Sequence, residues 1–206
     1  MKINAAKKVS YERMDGKDRK KQILRVAQHI FAEDNYYGAT IAKIAHAADV
    51  TEPTIYLYFK NKRDLFMAVV EDCASFQLSA MKKVIEGTND VKQAGLNLIR
   101  EDHRFITQVT SDVEKIMNMA RVINDPEIKA RVRRFNTEIH RLLTGYIEKA
   151  MAERVIRDDV DPRVLARILM GVVTAMRTML LLESAEEVDS IFMDAAEFLE
   201  KVILTH

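Results

Sequence analysis

Between Thr40 and Lys62 the chain brings together side chains suited to gripping a polyanion and reading base edges. Glu52, Pro53 and Thr54 open a short helix after Thr51. A threonine hydroxyl at such a place can bond a base or touch a thymine methyl, and a carboxylate can accept from cytosine N4. Glu52 equally suits a partner for the helix dipole, and both readings stand at this level. Tyr56 and Tyr58 lie two positions apart and so point in different directions. Either both reach a duplex or one packs on the first helix of the chain. Lys62 falls in the first turn of a further helix, where the macrodipole disfavours a cation. Facing a phosphate would offset that cost; the alternative is a solvated surface lysine. Ile55 and Phe59, one turn apart, are assigned to the core.

Little else in the sequence resembles reactive chemistry. Cys73 is the single cysteine, so no internal disulfide and no CxxC zinc pair can form, and a small buried hydrophobe is its expected role. The five histidines are scattered, and neither a glycine-rich phosphate loop nor a nucleophile elbow is present. The expectation is a non-enzyme without metal or cofactor. The net charge of +1 conceals an asymmetry: residues 1–62 hold twelve Lys/Arg against seven Asp/Glu, a surplus of +5, and the remainder carries −4. A basic head on an acidic body implies that the head alone meets a polyanion. The N-terminus lacks an apolar signal region, and the longest apolar stretch, Ile168 to Leu182, is interrupted by Arg177. It is shorter than the roughly 20 residues of a spanning helix, so no membrane association is expected and the location is read as cytoplasmic.

The elements that must position these residues are helical. Only 6 Gly and 3 Pro occur, too few for a turn-rich β fold, and Ala, Leu, Ile, Met, Glu, Lys and Arg dominate. The expected class is all-α: a three-helix helix-turn-helix head and a C-terminal bundle, about nine helices in total. Residues 1–15 read as a flexible basic arm, 16–61 as the head and 62–206 as a ligand-binding and dimerisation body. In the arm and just beyond it, Lys7, Lys8, Arg13 and Lys17 either track the duplex or belong to a plain tail. A first helix spans about Lys17–Asp34 with Ile23, Ala27, Ile30 and Phe31 on one face, and Gly38 punctuates the chain. Thr40 caps a short helix, Ala48-Asp49-Val50 breaks it with Asp49 left-handed, and Thr51 caps a second, running to about Tyr58. Asn61 caps a long helix to about Glu86. Five more are placed at roughly 90–109, 112–123, 126–154, 162–183 and 185–204.

Taken in order, Thr40-Ile41-Ala42-Lys43-Ile44-Ala45, Ala48-Asp49-Val50-Thr51, Thr54-Ile55-Tyr56-Leu57-Tyr58-Phe59 and Lys60-Asn61-Lys62-Arg63-Asp64-Leu65-Phe66 resemble the signature of the tetracycline-repressor (TetR) family. Ala27, Phe31, Tyr37 and Gly38 fit as well; Asp49 departs from the glycine common there. The resemblance covers about the first third of the chain. It implies a transcriptional regulator, expected to be a repressor released from a palindromic operator by a small molecule. An effector-independent DNA binder and, more remotely, a helical enzyme are the alternatives. The DNA-facing set is then Thr40, Lys43, Thr51, Glu52, Pro53, Thr54, Tyr56, Tyr58 and Lys62, with the residue at Tyr58 approaching the DNA backbone in the family and that at Tyr56 lying at the DNA surface.

In the body, the last two helices are apolar on more than one face, which implies a partner chain. On the eighth, Leu165, Ile168, Leu169, Val172, Met176 and Met179 form one stripe, and Val164, Gly171, Ala175 and Leu182 another. The resemblance likewise implies a homodimer through these helices, with Gly171, Ala175, Phe192 and Phe198 in the contact. The middle helices are expected to enclose a pocket for a small apolar or amphipathic effector, lined by Phe76, Asp102, His103, Phe105, Met117, His140 and Met170. Asp102 falls on an apolar face and needs a partner: either an internal salt bridge to Arg141 or Arg121, or a bound cationic or hydroxylated ligand. Eleven methionines suit a plastic cavity, although most belong to ordinary core.

Overall fold

The computed structural model describes residues 15–104 and 111–179, and single positions between 186 and 201. Eight helices follow in order: α1 (Gly16–Gly38), α2 (Ile41–Ala47), α3 (Glu52–Tyr56), α4 (Lys62–Glu86), α5 (Val91–Arg104), α6 (Ser111–Val122), α7 (Pro126–Ala152) and α8 (Pro162–Met179). No strand occurs among the described residues, and the class is all-α. The expected ninth helix lies largely outside the described residues, as do Phe192 and Phe198. Positions 186, 187, 190, 191, 193, 194, 197 and 201 within that stretch are helical, and Lys201 pairs with Glu197 one turn back.

The apolar periodicity of α1 becomes the centre of the head. Ile23, Ala27, Ile30 and Phe31 are buried against Ile41, Ile44 and Ala45 of α2, Ile55 of α3, and Leu65 and Phe66 of α4. Phe31 meets Phe66 edge-on, with ring centroids 5.0 Å apart, a geometry aromatic quadrupoles favour. The same cluster continues through Ile116 and Met117 of α6 to Ile128 and Val132 of α7. Head and body therefore share packing. A second cluster joins Val91 to Ile139, Leu143 and Ile147 of α7 and Leu165 and Ala166 of α8.

The break after α1 differs from its expected place. Asn35, with φ 57° and ψ 176°, is the positive-φ residue at this break, and no described glycine has positive φ. Its Oδ1 accepts from the backbone N–H groups of Tyr37 (2.9 Å) and Gly38 (3.2 Å). These two bonds hold Asn35 in a backbone conformation that residues other than glycine seldom adopt. Asp49 is left-handed as expected, with φ 51°. Replacing it with valine, whose branched Cβ crowds that conformation, is expected to cost roughly 1–2 kcal/mol, whereas Asp49→Gly should not destabilise. Chemical denaturation of the three proteins measures the difference.

Candidate nucleic-acid interface

Thr40 stands in extended conformation before α2, and its hydroxyl accepts from the Lys43 N–H at 3.1 Å. The Lys43 ammonium is ion-paired with Asp34 at the end of α1. After the three-residue turn, Thr51 occupies the capping position of α3, but its side chain caps nothing. Instead its hydroxyl bonds the Thr54 hydroxyl at 2.9 Å. The expected Thr51 side-chain cap is thus corrected: the backbone carbonyl of Thr51 takes the Thr54 N–H at 2.9 Å, and the two hydroxyls satisfy each other.

Ile55 and Phe59 are buried and anchor α3 to the head. The opposite side presents Glu52, Pro53, Tyr56 and Leu57, all exposed. The tyrosines divide as their spacing requires. Tyr56 is half exposed, whereas Tyr58 packs partly into the core cluster, with its hydroxyl close to Gly16 at the start of α1.

Lys62 has an arrangement that neither sequence reading anticipated. Its ammonium donates to the carbonyl of Ala39 at 3.0 Å, reaches that of Tyr37 at 3.5 Å, and lies 4.9 Å from the centroid of the Tyr36 ring. The cost of a cation in the first turn of α4 is offset by carbonyls at the α1–α2 corner. Asn61 caps α4 by accepting from the Asp64 N–H at 2.8 Å, and Asp64 in return accepts from the Lys60 N–H at 3.0 Å. This reciprocal arrangement resembles a capping box.

The next residue ties the head to the body. Arg63 donates to both carboxylate oxygens of Asp125 (2.5 and 2.9 Å) and pairs with Glu127 at 2.9 Å. Asp125 simultaneously caps α7 by accepting from the Glu127 and Ile128 N–H groups. The Arg63 guanidinium, followed by these backbone donors, holds the Asp125 carboxyl down to about 2 from an ordinary 3.8. A carboxyl lowered on folding stabilises the fold above its unfolded value and loses that contribution as it is protonated. Acid should therefore weaken this joint between about pH 3.8 and 2. Asp125→Asn, which keeps cap geometry but not charge, is expected to flatten the stability-against-pH curve in that window. Denaturant titrations across the range would show an unchanged slope if the pair contributed nothing. On the neighbouring face, His29 and Glu33 of α1 meet Asp112 and Lys115 of α6 at 3.0 and 2.9 Å.

The body residues expected to line one pocket fall in separate surroundings. Met117 is fully buried in the main cluster and borders a cleft of about 100 Å³ beside Leu78 and Phe135. Phe76 is half exposed on α4. His140 bonds the Arg163 carbonyl through Nε2 at 3.0 Å, and Met170 packs on the second cluster. Asp102 and His103 lie on α5, with side chains outside the described residues, as is Phe105 altogether. Of the partners considered for Asp102, Arg141 pairs with Glu138 and Arg121 donates to Asn118.

A larger cleft of about 220 Å³ was missed from sequence: Val91, Ala94 and Leu142 form apolar lining, with Arg141 and Lys149 beside them. Gly145 opens it, since a Cβ there would meet nothing within 4 Å. Its signal was the 141-145-149 spacing, which puts two cations and a glycine on one helical face. Also missed was the buried bond from Gln77 Nε2 to Glu114 Oε1, 3.1 Å, between α4 and α6. Burial pushes the neighbouring Cys73 thiol up to about 12, so the nucleophilic thiolate is suppressed. Among the described residues no His/Cys/Asp/Glu group could hold a metal, and no helix is long and apolar enough to cross a membrane.

Residues 23–69, from α1 into α4, match the family model of bacterial regulatory proteins of the tetR family. The fatty acid metabolism regulator protein of Bacillus subtilis (strain 168) is 22% identical over 152 residues, covering 74% of this chain and 78% of the relative. The transcriptional regulator FadR of Bacillus subtilis, solved in complex with stearoyl-CoA, superposes with a TM-score of 0.72 at 19% identity, covering 84% of this chain and 95% of that one. A TetR transcriptional regulator from Chloroflexus aurantiacus J-10-FL reaches a TM-score of 0.80 at 17% identity, covering 93% and 98%. The family model falls on the helix-turn-helix and its support, so residues 23–69 form a tetR-family N-terminal domain, and the fold shared with the solved regulators extends through the body.

Proposed function

We propose that the protein is a homodimeric repressor that leaves its operator when an amphipathic, acyl-chain-bearing effector enters the body. The observation that carries this reading is the joint at the start of α4. One unbroken helix, Lys62–Glu86, begins at the DNA-binding head and ends among the body helices, and Arg63 clamps its first turn to α7. A shift of α7 or α4 in the body would therefore move the head. The boundary between head (16–61) and body (62–206) is assigned to Asn61, and residues 1–15 to a basic arm. The DNA-facing set remains Thr40, Lys43, Thr51, Glu52, Pro53, Thr54, Tyr56, Tyr58 and Lys62. Lys62 and Lys43 would exchange or share their present partners with phosphates.

The effector class is supported by the relative solved with stearoyl-CoA and by the cleft whose apolar lining sits beside Arg141 and Lys149, which suits an amphipathic anion. Dimerisation is supported by α8. Leu165 and Ala166 are buried and Leu169 and Met170 partly buried on its inner side, while Val164, Ile168, Gly171 and Ala175 are exposed along the other at helical spacing. Ile168 thus changes sides relative to the stripe expected from sequence. An exposed apolar stripe of this kind marks an interaction surface.

The test is fluorescence anisotropy of a duplex selected by the protein, titrated with stearoyl-CoA and with free CoA. Stearoyl-CoA is expected to lower duplex affinity 5–150-fold, about the range of ordinary allosteric coupling, with CoA inert. An affinity untouched by stearoyl-CoA would overturn the effector assignment and leave DNA binding standing.

A further inference from the structure

The outward face of α3 is unusually apolar for a surface meant to meet DNA. Pro53 and Leu57 lie one turn apart, Tyr56 adjoins Leu57, and all three are exposed. Leu57 is 81% exposed, more than any other large hydrophobic side chain described. It closes α3, with its N–H donating to the Pro53 carbonyl at 3.2 Å, so its direction is fixed by the helix. The core does not need it: Ile55 and Phe59 already fill the inner side. A leucine can neither bond a phosphate nor pair with a polar base edge. In the major groove the apolar group offered by the bases is the thymine C5-methyl.

We infer that Leu57 is a specificity-determining residue that selects thymine, through its methyl group, at one position of each half-site. The inference rests on α3 being the helix that enters the major groove. Glu52, one turn before Tyr56 on the same side, cannot make this contact, and Thr54 is turned partly inward and bonded to Thr51. The recognition surface therefore combines one polar reader with an apolar one. The apolar reader distinguishes thymine from cytosine without a hydrogen bond.

The test removes the methyl alone. A duplex selected by the full-length protein is remade with deoxyuridine for thymine, one position at a time and symmetrically in both half-sites, and bound by wild type and by Leu57→Ala. Wild type is expected to lose about four-fold per half-site at one position, the equivalent of one buried methyl, and Leu57→Ala to show no loss there. The alanine variant should melt with the wild type, because the side chain it removes is exposed. Wild-type sensitivity that persists in Leu57→Ala would assign the methyl to Pro53, Tyr56 or Thr54 and overturn the inference. Insensitivity of wild type at every thymine would overturn it as well, whether Leu57→Ala weakens binding through sugar contacts or not at all. In each of these cases specific duplex binding survives. Failure to select any duplex would instead strike the DNA-binding reading on which the inference rests.

Discussion

Gly171→Leu is expected to convert the protein to a monomer and to lower operator affinity by about 10²–10⁴-fold, the range lost when two linked contacts become one. Gly171 lies on the exposed face of α8 between Ile168 and Ala175, and a Cβ there would meet nothing within 4 Å in the single chain. A leucine therefore has room in the isolated fold. Against a second copy of α8 it would hold the two backbones apart, at an overpacking cost of roughly 1–3 kcal/mol or more. The two effects separate cleanly. Circular dichroism should report an intact helical fold, while sedimentation reports half the wild-type mass. Unchanged sedimentation would remove Gly171 from the interface, and a wild type already monomeric at micromolar concentration would remove α8 from it altogether.

Lys62→Ala is expected to do more than weaken DNA binding. Losing the charge-assisted bond to the Ala39 carbonyl and the approach to the Tyr36 ring should lower stability by about 1–3 kcal/mol. In DNA binding, a lysine that meets a phosphate contributes affinity for all sequences alike, and its removal should reduce the salt slope by about one unit per contact. Lys62→Met keeps the aliphatic stem and isolates the charge. If stability falls but the slope of log affinity against log salt is unchanged, Lys62 braces the α1–α2 corner and meets no phosphate. If the slope falls without loss of stability, the bonds to Ala39 and Tyr37 are incidental.

These cases show which features could be read from the chain alone. Asp49 was legible because a three-residue turn between capped helices demands a left-handed residue, and few types accept that. Asn35 was not, because Gly38 nearby is the stronger conventional marker of a break, and only the amide bonds to Tyr37 and Gly38 make the asparagine the better choice. The buried face of α1 followed directly from its 3.6-residue period. The partners of Lys62 were hidden because they are backbone carbonyls, 23 and 25 residues earlier, that carry no side-chain signature. The same holds for Arg63 with Asp125, 62 residues apart, and for Gln77 with Glu114, 37 apart. Helical periodicity says which residues face inward but not which of several interior spaces they reach. That is why Phe76, Met117, His140 and Met170 were grouped from sequence and are found in different surroundings.

Selection of bound duplexes from a random pool, by the full-length protein at two salt concentrations, tests the account most directly. A dimer that inserts two copies of α3 into successive major grooves should enrich a palindrome whose half-sites lie about one helical turn apart, ~34–36 Å, with affinity falling steeply as salt rises. Enrichment of no sequence, or of a lone half-site bound independently of salt, would contradict it.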